Sequence, residues 1–262
     1  MAPYTVSLPG LAPFKLFTHE RGDAYISRQI EQAGFWEPLE SSVVAGLLKP
    51  GDVFVDLGAN IGYYTVLAAQ ACGPRGKVYA FEPEPSNIGL LNRNVALNGL
   101  GNVTIVDAAA SNSTGFAELY LSTENQGDHR LYDNEQRSSH VRVREVALDE
   151  WFSERDNRVD FVKMDTQGSE ARIIDGMLEL ISANWRRMRM IVEFWPFGLQ
   201  GAGDSAAVLV ERLRRFDWTV YKLDESLPQQ VPTSWDELLV DAETVYHPST
   251  RHFTNLLLAP RQ

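Results

Sequence analysis

Two apolar rhythms alternate along the first half of the chain. Leu39, Val43 and Leu47 recur at helical spacing within Glu37 to Leu48, and Lys49-Pro50-Gly51 stops that helix. Val53-Phe54-Val55 is a short apolar run, followed by a helix from Tyr63 to Cys72 that ends at Gly73-Pro74. Val78 to Phe81 reads as a second strand and Val103 to Val106 as a third. Between them Ile88, Leu91 and Val95 mark a helix closed by Asn98-Gly99. Strands this short and this apolar suit a parallel sheet covered by helices on both faces.

The rhythm then changes. Gly115 to Leu121 and Val141 to Val146 alternate apolar and polar positions, which predicts a β-hairpin insertion over 115–147. The polar stretch Ser122 to Ser139 between them has no periodicity of its own, and loops of that length are commonly functional. The α/β order returns with a strand at Asp160 to Met164 and a helix face of Ala171, Ile174, Leu178 and Ile181. A strand at Met190 to Phe194 and a helix at Val208 to Phe216 follow. Thr219 to Leu223 and Phe253 to Leu258 read as a closing strand pair around a Pro-punctuated insertion at 223–250. The first forty residues are irregular, with Pro3, Pro9, Pro13 and Pro38, and belong to an N-terminal cap segment over 1–50. The whole pattern predicts one α/β domain spanning 1–262, without internal repeats.

Charge and cysteine content narrow the function classes. The chain carries 24 Lys+Arg against 35 Asp+Glu, a net charge of −11, which argues against a general binder of nucleic acid or anionic membranes. The single cysteine, Cys72, excludes an internal disulfide framework and a zinc site built mainly on cysteines, and reads as a small core residue. Met1 to Gly10 lacks a basic region followed by an apolar core, and no apolar run approaches the ~18 residues of a membrane span. A cytoplasmic protein is the expectation.

The strongest chemical signal is Asp56-Leu57-Gly58-Ala59-Asn60-Ile61-Gly62, set between a buried strand and a helix. Glycines there let the backbone turn sharply and approach a ligand, and the helix N-terminus favours a negative group. Glu82 ends the next strand, where a carboxylate in a Rossmann-like sheet meets the ribose hydroxyls of an adenosine ligand. A nicotinamide site would want G-x-G-x-x-G, whose middle glycine clears room for pyrophosphate. Asn60 occupies that place here, and the acidic Asp56 would repel a pyrophosphate but suits an ammonium and a sulfonium. The predicted cofactor is therefore S-adenosylmethionine.

Three segments together resemble the FkbM-type S-adenosylmethionine-dependent methyltransferases. They are Phe54 to Thr65, Ala80-Phe81-Glu82-Pro83, and Val162 to Glu170 with its Asp165-Thr166-Gln167-Gly168 signature, where Gln167 replaces a commoner Glu. The resemblance covers roughly residues 35 to 200. It implies a class I methyltransferase fold, a Rossmann-like seven-stranded mixed sheet with its last strand antiparallel and helices on both faces. It also implies O-methylation of a hydroxyl on a sugar, polyketide or other natural product.

Carried over by position, the family puts Asp56, Gly58, Asn60 and Gly62 around the methionine part of the cofactor, and Glu82 with Pro83 at the ribose. Tyr63 stands beside the cofactor or packs in the core. Asp107, ending the third strand, meets the adenine amino group or is a solvated loop carboxylate. Glu37 reaches the cofactor's amino group or serves as a charge at a helix N-terminus.

Methyl transfer to a hydroxyl needs in-line positioning and benefits from a base. Asp165 ends the fourth strand on the edge that also holds Asp56 and Glu82, so it is a candidate base that also borders the cofactor; capping the next helix is its other reading. His129, in Gly127-Asp128-His129-Arg130, is the second candidate base, because imidazole titrates near neutrality. Arg130 and Glu193 are candidates for the acceptor, a small hydroxylated molecule. Asp165 and Glu193 supply two oxygens, but no Asp-Asn pair follows the fifth strand, so no metal is expected. The rival readings are a nicotinamide-dependent oxidoreductase and a non-catalytic protein that binds S-adenosylmethionine.

Overall fold

The apolar runs at Val53–Leu57, Phe161–Met164 and Arg189–Phe194 lie side by side at the centre of a mixed sheet. The computed structural model describes every residue except 1, 21, 22, 24, 134, 136, 138 and 262, so those positions of the expected 1–50 cap and of the 122–139 stretch lie outside the described residues. In chain order the elements are β1 (Tyr4–Val6), β2 (Phe14–Leu16), α1 (Ile26–Ala33), α2 (Pro38–Leu47), β3 (Val53–Leu57), α3 (Tyr63–Cys72), β4 (Lys77–Glu82), α4 (Pro85–Leu97) and β5 (Val103–Asp107). There follow β6 (Ala109–Ser111), β7 (Gly115–Tyr120), β8 (His140–Ala147), α5 (Leu148–Ser153), β9 (Phe161–Met164), α6 (Glu170–Asp175), α7 (Leu178–Asn184) and β10 (Arg189–Phe194). The chain closes with α8 (Pro196–Gly201), α9 (Ala206–Leu213), β11 (Trp218–Leu223), β12 (Val231–Thr233), α10 (Trp235–Thr244) and β13 (Thr254–Pro260).

The main sheet runs β12-β11-β13-β10-β9-β3-β4-β5. Strands β5, β4, β3, β9 and β10 are parallel neighbours, and β13 lies antiparallel between β10 and β11. This is the class I methyltransferase sheet with its last strand antiparallel. It has eight strands rather than the expected seven, because β12, within the 223–250 insertion, pairs antiparallel with β11. β12 is three residues long and contains Pro232, which lacks a ladder donor and is tolerated at a sheet edge. Nothing in so short a polar run separates it from a loop.

The sheet is buried on both faces. Val53, Val55 and Leu57 of β3 belong to one apolar cluster and Phe54 to the other, as the period-two alternation of a strand requires. Each such buried side chain contributes on the order of 1.5–3 kcal/mol. On one face α3 packs with β1 and β2, and on the other α6 and α9 pack together.

Three further differences from the sequence pattern have local causes. The irregular N-terminus contains an antiparallel β1–β2 pair and the helix α1. Phe14 and Leu16 of β2 point inward while Lys15 points out, an alternation too brief to read before pairing. The predicted helix through Ala171 to Ile181 is broken into α6 and α7. Gly176 sits at the break, where a Cβ would lie 2.0 Å from the Ser111 carbonyl oxygen, and the Asp149 carboxylate accepts the Glu179 and Leu180 amides. Finally, β7 and β8 pair antiparallel as a hairpin would, with β6 added parallel to β8.

Among the described residues no helix is long and apolar enough to cross a membrane.

Candidate functional site

Leu57, Glu82, Met164 and Phe194 end four adjacent parallel strands, and two cavities open beyond that edge. One takes in about 540 Å³ of space, part of it open to solvent, against the β3–α3 and β4–α4 turns, and the other about 850 Å³, likewise partly open, against β10, β13 and the N-terminal segment. Gly127, Asp165 and Gln167 line both.

The first cavity is built by the glycine-rich turn. Gly58 has φ +82°, and a Cβ on it would lie 2.1 Å from the Asp165 carbonyl oxygen, so only glycine fits between β3 and β9 here. Asn60 is itself left-handed, at φ 51°, a conformation asparagine tolerates. Its amide donates to Glu82 Oε2 at 2.8 Å, and its side-chain Nδ2 donates to the Gln126 carbonyl at 2.9 Å. The turn is thereby tied both to the acidic end of β4 and to the segment between β7 and β8. The other Glu82 oxygen accepts the Glu84 amide at 2.9 Å. Burial pushes the Glu82 carboxyl up to about 7, against the lowering effect of those amides. Phe81, Pro83, Leu119 and Leu131 give this cavity apolar walls.

The second cavity combines aromatic walls with carboxyls. Trp36, Trp195 and Phe253 line it together with Glu37, Asp165 and Glu193. Glu37 is held at φ 41° before Pro38 and accepts the Tyr64 hydroxyl at 2.9 Å. Burial, reinforced by the neighbouring Glu40, pushes its carboxyl up to about 8. Burial also drives Glu193 well above the ordinary carboxylate range, with Asp165 and Glu170 adding to the effect. Beneath these groups lies Lys163, buried, 3.1 Å from Glu40 and 3.5 Å from Asp165, with its Nζ over the Tyr64 ring. Burial opposes its charge, but Glu40, Asp165, Glu37 and Asp56 outweigh that and hold it well above the usual lysine range. Gln167 (φ 56°) bridges the carboxyls, donating to Asp165 Oδ1 at 2.7 Å and toward Glu193 at 3.3 Å.

Several predicted residues stand outside both cavities. Asp56 lines neither cavity; it is buried within β3, where Thr65 donates to it at 2.6 Å, and burial lifts its carboxyl to about 6. Gly62 is the turn into α3, packed on Leu91, and not a cavity wall. Tyr63 is a core residue, edge-on to Phe14 and Tyr64, with its hydroxyl 3.0 Å from Ser41. Asp107 pairs in register with Glu82 but is exposed, because the chain turns inward only at Ala108; Ala109 and Ala110 line the cavity in its stead.

His129 lies in the first cavity rather than beside Glu37 and Glu193 in the second. Its Nδ1 accepts the Ser122 amide at 3.0 Å, which assigns the proton of the neutral ring to Nε2. The nitrogen left for a ligand is thus a donor, which corrects its assignment as a base. Arg130 does line the second cavity, but its guanidinium grips Asp128 at 2.7 and 2.9 Å, approaches Glu135 at 3.3 Å and stacks on Trp195. Its fork is thus engaged within the protein by Asp128 and Glu135. Glu37, Gly58, Asn60, Glu82, Pro83, Asp165 and Glu193 all line one cavity or the other. Sequence reasoning missed Glu40, Asn87, Trp36 and Asn255. Of these Asn87, near the start of α4 just after Glu82, had a positional signal.

The family model for the "Methyltransferase FkbM domain" matches residues 56–217. The chain belongs to the FkbM methyltransferase family. Among its relatives is "Methyltransferase sdnD" of Sordaria araneosa, 27% identical over 186 residues, which are 58% of this chain and 70% of that protein. "Methyltransferase 1" of Beauveria bassiana is 29% identical over 149 residues, 49% of this chain and 59% of that one. "31-O-demethyl-FK506 methyltransferase FkbM" of Streptomyces tacrolimicus is 24% identical over 178 residues, 55% of this chain and 65% of that protein. The matches thus span roughly two thirds of these relatives' lengths. In this FkbM domain the two cavities flank Asp165, which lies within the matched region. The first cavity also suits the family's cofactor class, since the Asp165 carboxyl borders it, Gly58 lets the turn pack closely on the Asp165 carbonyl, and the buried His129 Nε2 in its wall has no partner among the described residues.

Proposed function

We propose that this FkbM-family methyltransferase uses S-adenosylmethionine and methylates a hydroxyl of a small molecule. The observation that carries the reading is the position of Asp165, a carboxyl exposed to both cavities at once. Gly58, Asn60, Glu82 and Pro83 would hold the cofactor in the first cavity, and the acceptor would occupy the second. When bound, S-adenosylmethionine supplies a methyl group activated by its sulfonium.

The chain's own residues do the rest. Asp165 takes the acceptor's hydroxyl proton, with its carboxylate aimed by Gln167. Glu193 and Glu37 are unsuited to that task near neutrality, because burial keeps their protons on; they donate hydrogen bonds to the acceptor or the cofactor instead. Trp36 and Phe253 offer apolar surface to a ring, while Trp195 carries Arg130 on its own ring, and the carboxyls among them suit the acceptor's hydroxyls. That combination favours a hydroxylated ring, such as a sugar or a cyclic polyketide. The name of the Streptomyces relative, a methyltransferase of a 31-O-demethyl compound, supports an oxygen acceptor.

Calorimetric titration with S-adenosylmethionine and with NADH tests the cofactor. Saturable binding of the first alone is expected, and binding of NADH alone would return the chain to the oxidoreductase reading. Transfer of labelled methyl to a panel of glycosides and macrolides then tests the acceptor; binding without transfer to any of them would favour the non-catalytic reading.

A further inference from the structure

Between the two cavities runs an extended stretch whose side chains alternate sides. Asp128 and Arg130 face the second cavity, and His129 and Leu131 face the first. The stretch is extended because Arg130 pairs with Tyr120, each amide donating to the other's carbonyl, at 3.1 and 2.8 Å. It is anchored on one side by the ion pairs from Asp128 to Arg130 and Arg137. On the other side it presents His129, whose Nδ1 is taken by the Ser122 amide and whose buried Nε2 has no partner among the described residues.

A buried donor without a partner costs on the order of 1–3 kcal/mol, so such a group in a cavity wall signals what the cavity takes. The walls around it are apolar, with Phe81, Pro83, Leu119 and Leu131, as a flat heterocycle requires. Asn60 and Glu82 occupy the polar end of the same cavity. Burial lowers the imidazole's affinity for a second proton and so favours the neutral ring.

We propose that His129 recognises the cofactor's adenine, its Nε2–H donating to a ring nitrogen. This rests on the assignment of S-adenosylmethionine above. It makes His129 a binding residue, and it makes the stretch 127–131 a wall shared by the cofactor and acceptor cavities.

Two substitutions separate recognition from a structural role. His129→Asn keeps an acceptor for the Ser122 amide but removes the Nε2 donor, and His129→Gln keeps a donor near Nε2. The readout is the Kd of S-adenosylhomocysteine by calorimetry, with hydrogen exchange across 122–131 measured with and without it. His129→Asn is expected to weaken binding about 3- to 10-fold, the loss of one neutral hydrogen bond, and to abolish ligand-induced protection of 122–131. His129→Gln is expected to stay near wild type.

Replacing each adenine ring nitrogen by CH, in the 1-deaza, 3-deaza and 7-deaza analogues, should weaken wild-type binding for one analogue and leave His129→Asn indifferent to that change. Wild-type affinity in His129→Asn, or weakening in His129→Gln alone, overturns the proposal, as does a wild type that treats all three analogues alike. If wild type fails to bind S-adenosylhomocysteine at all, the cofactor assignment falls, and this inference with it.

Discussion

The two cavities share a wall but are built in opposite ways. The first is made by short strand-to-helix turns, in which the Gly58 amide donates to the Phe81 carbonyl and the Asn60 amide to Glu82, all within 25 residues of chain. The second draws Trp36, Asp128, Glu193 and Phe253 from regions far apart in the chain. The first is held mainly by backbone amides and a close approach that forbids a side chain. The second is held by side-chain charge, with Lys163 under the carboxyls and Arg130 clasped to Asp128. A cavity of the first kind binds one ligand rigidly. One of the second kind can change its ligand by exchanging side chains while the backbone stays put.

The sharpest test is at the shared wall. Asp165→Asn should leave cofactor affinity within about threefold of wild type and lower methyl transfer by about 10²–10⁴-fold, measured in single-turnover transfer once an acceptor is found. Transfer at the wild-type rate would remove Asp165 from the chemistry. Next in size, Lys163→Met strips the cation from beneath the second cavity and should destabilise the fold by about 3–5 kcal/mol in urea unfolding. Lys163→Met combined with Glu40→Gln should recover part of that loss.

Gly58→Ala acts on the first cavity. It places a Cβ against the Asp165 carbonyl in a left-handed conformation and should weaken S-adenosylhomocysteine binding by about 10–100-fold, read by calorimetry. An affinity equal to wild type would mean that the turn yields easily.

The smallest effect is on pH dependence. Glu82 and Glu37, one in each cavity, keep their protons to about 7 and about 8 when folded, above an unfolded value of 4.5. Between those limits the folded chain holds more protons than the unfolded one. Stability from these groups is therefore fully present below the unfolded value and declines as pH rises through about 8. The thermal midpoint of the ligand-free protein should fall from about pH 5 to about pH 8, and Glu37→Gln should flatten the upper part of that fall.

The same contrast explains what could be read from sequence. Strand-end residues such as Glu82, Asp165 and Glu193 were legible, because a parallel sheet sends the carboxyl ends of its strands to one edge. Gly58 and Asn60 were legible because the turn is local. Tyr63 was ambiguous since its partner Phe14 sits in β2, a strand too short to recognise alone. Asp107 was left between two readings because the inward turn at Ala108, which leaves it exposed, depends on β6, a strand that pairs with β8. His129 and Arg130 were found as a cluster, but their roles depend on the partners Ser122, Asp128 and Glu135, and spacing says nothing of those bonds.

The alternation at 128–131 carries a constraint on how such a protein can diverge. Point changes at 128 and 130 alter one ligand's surroundings and leave the other's untouched. Gaining or losing a single residue there would transpose the two sets, sending His129 toward the second cavity and Arg130 toward the first. Drift in acceptor preference is thus open to substitution at alternate positions, while length changes in this stretch are admissible only in pairs.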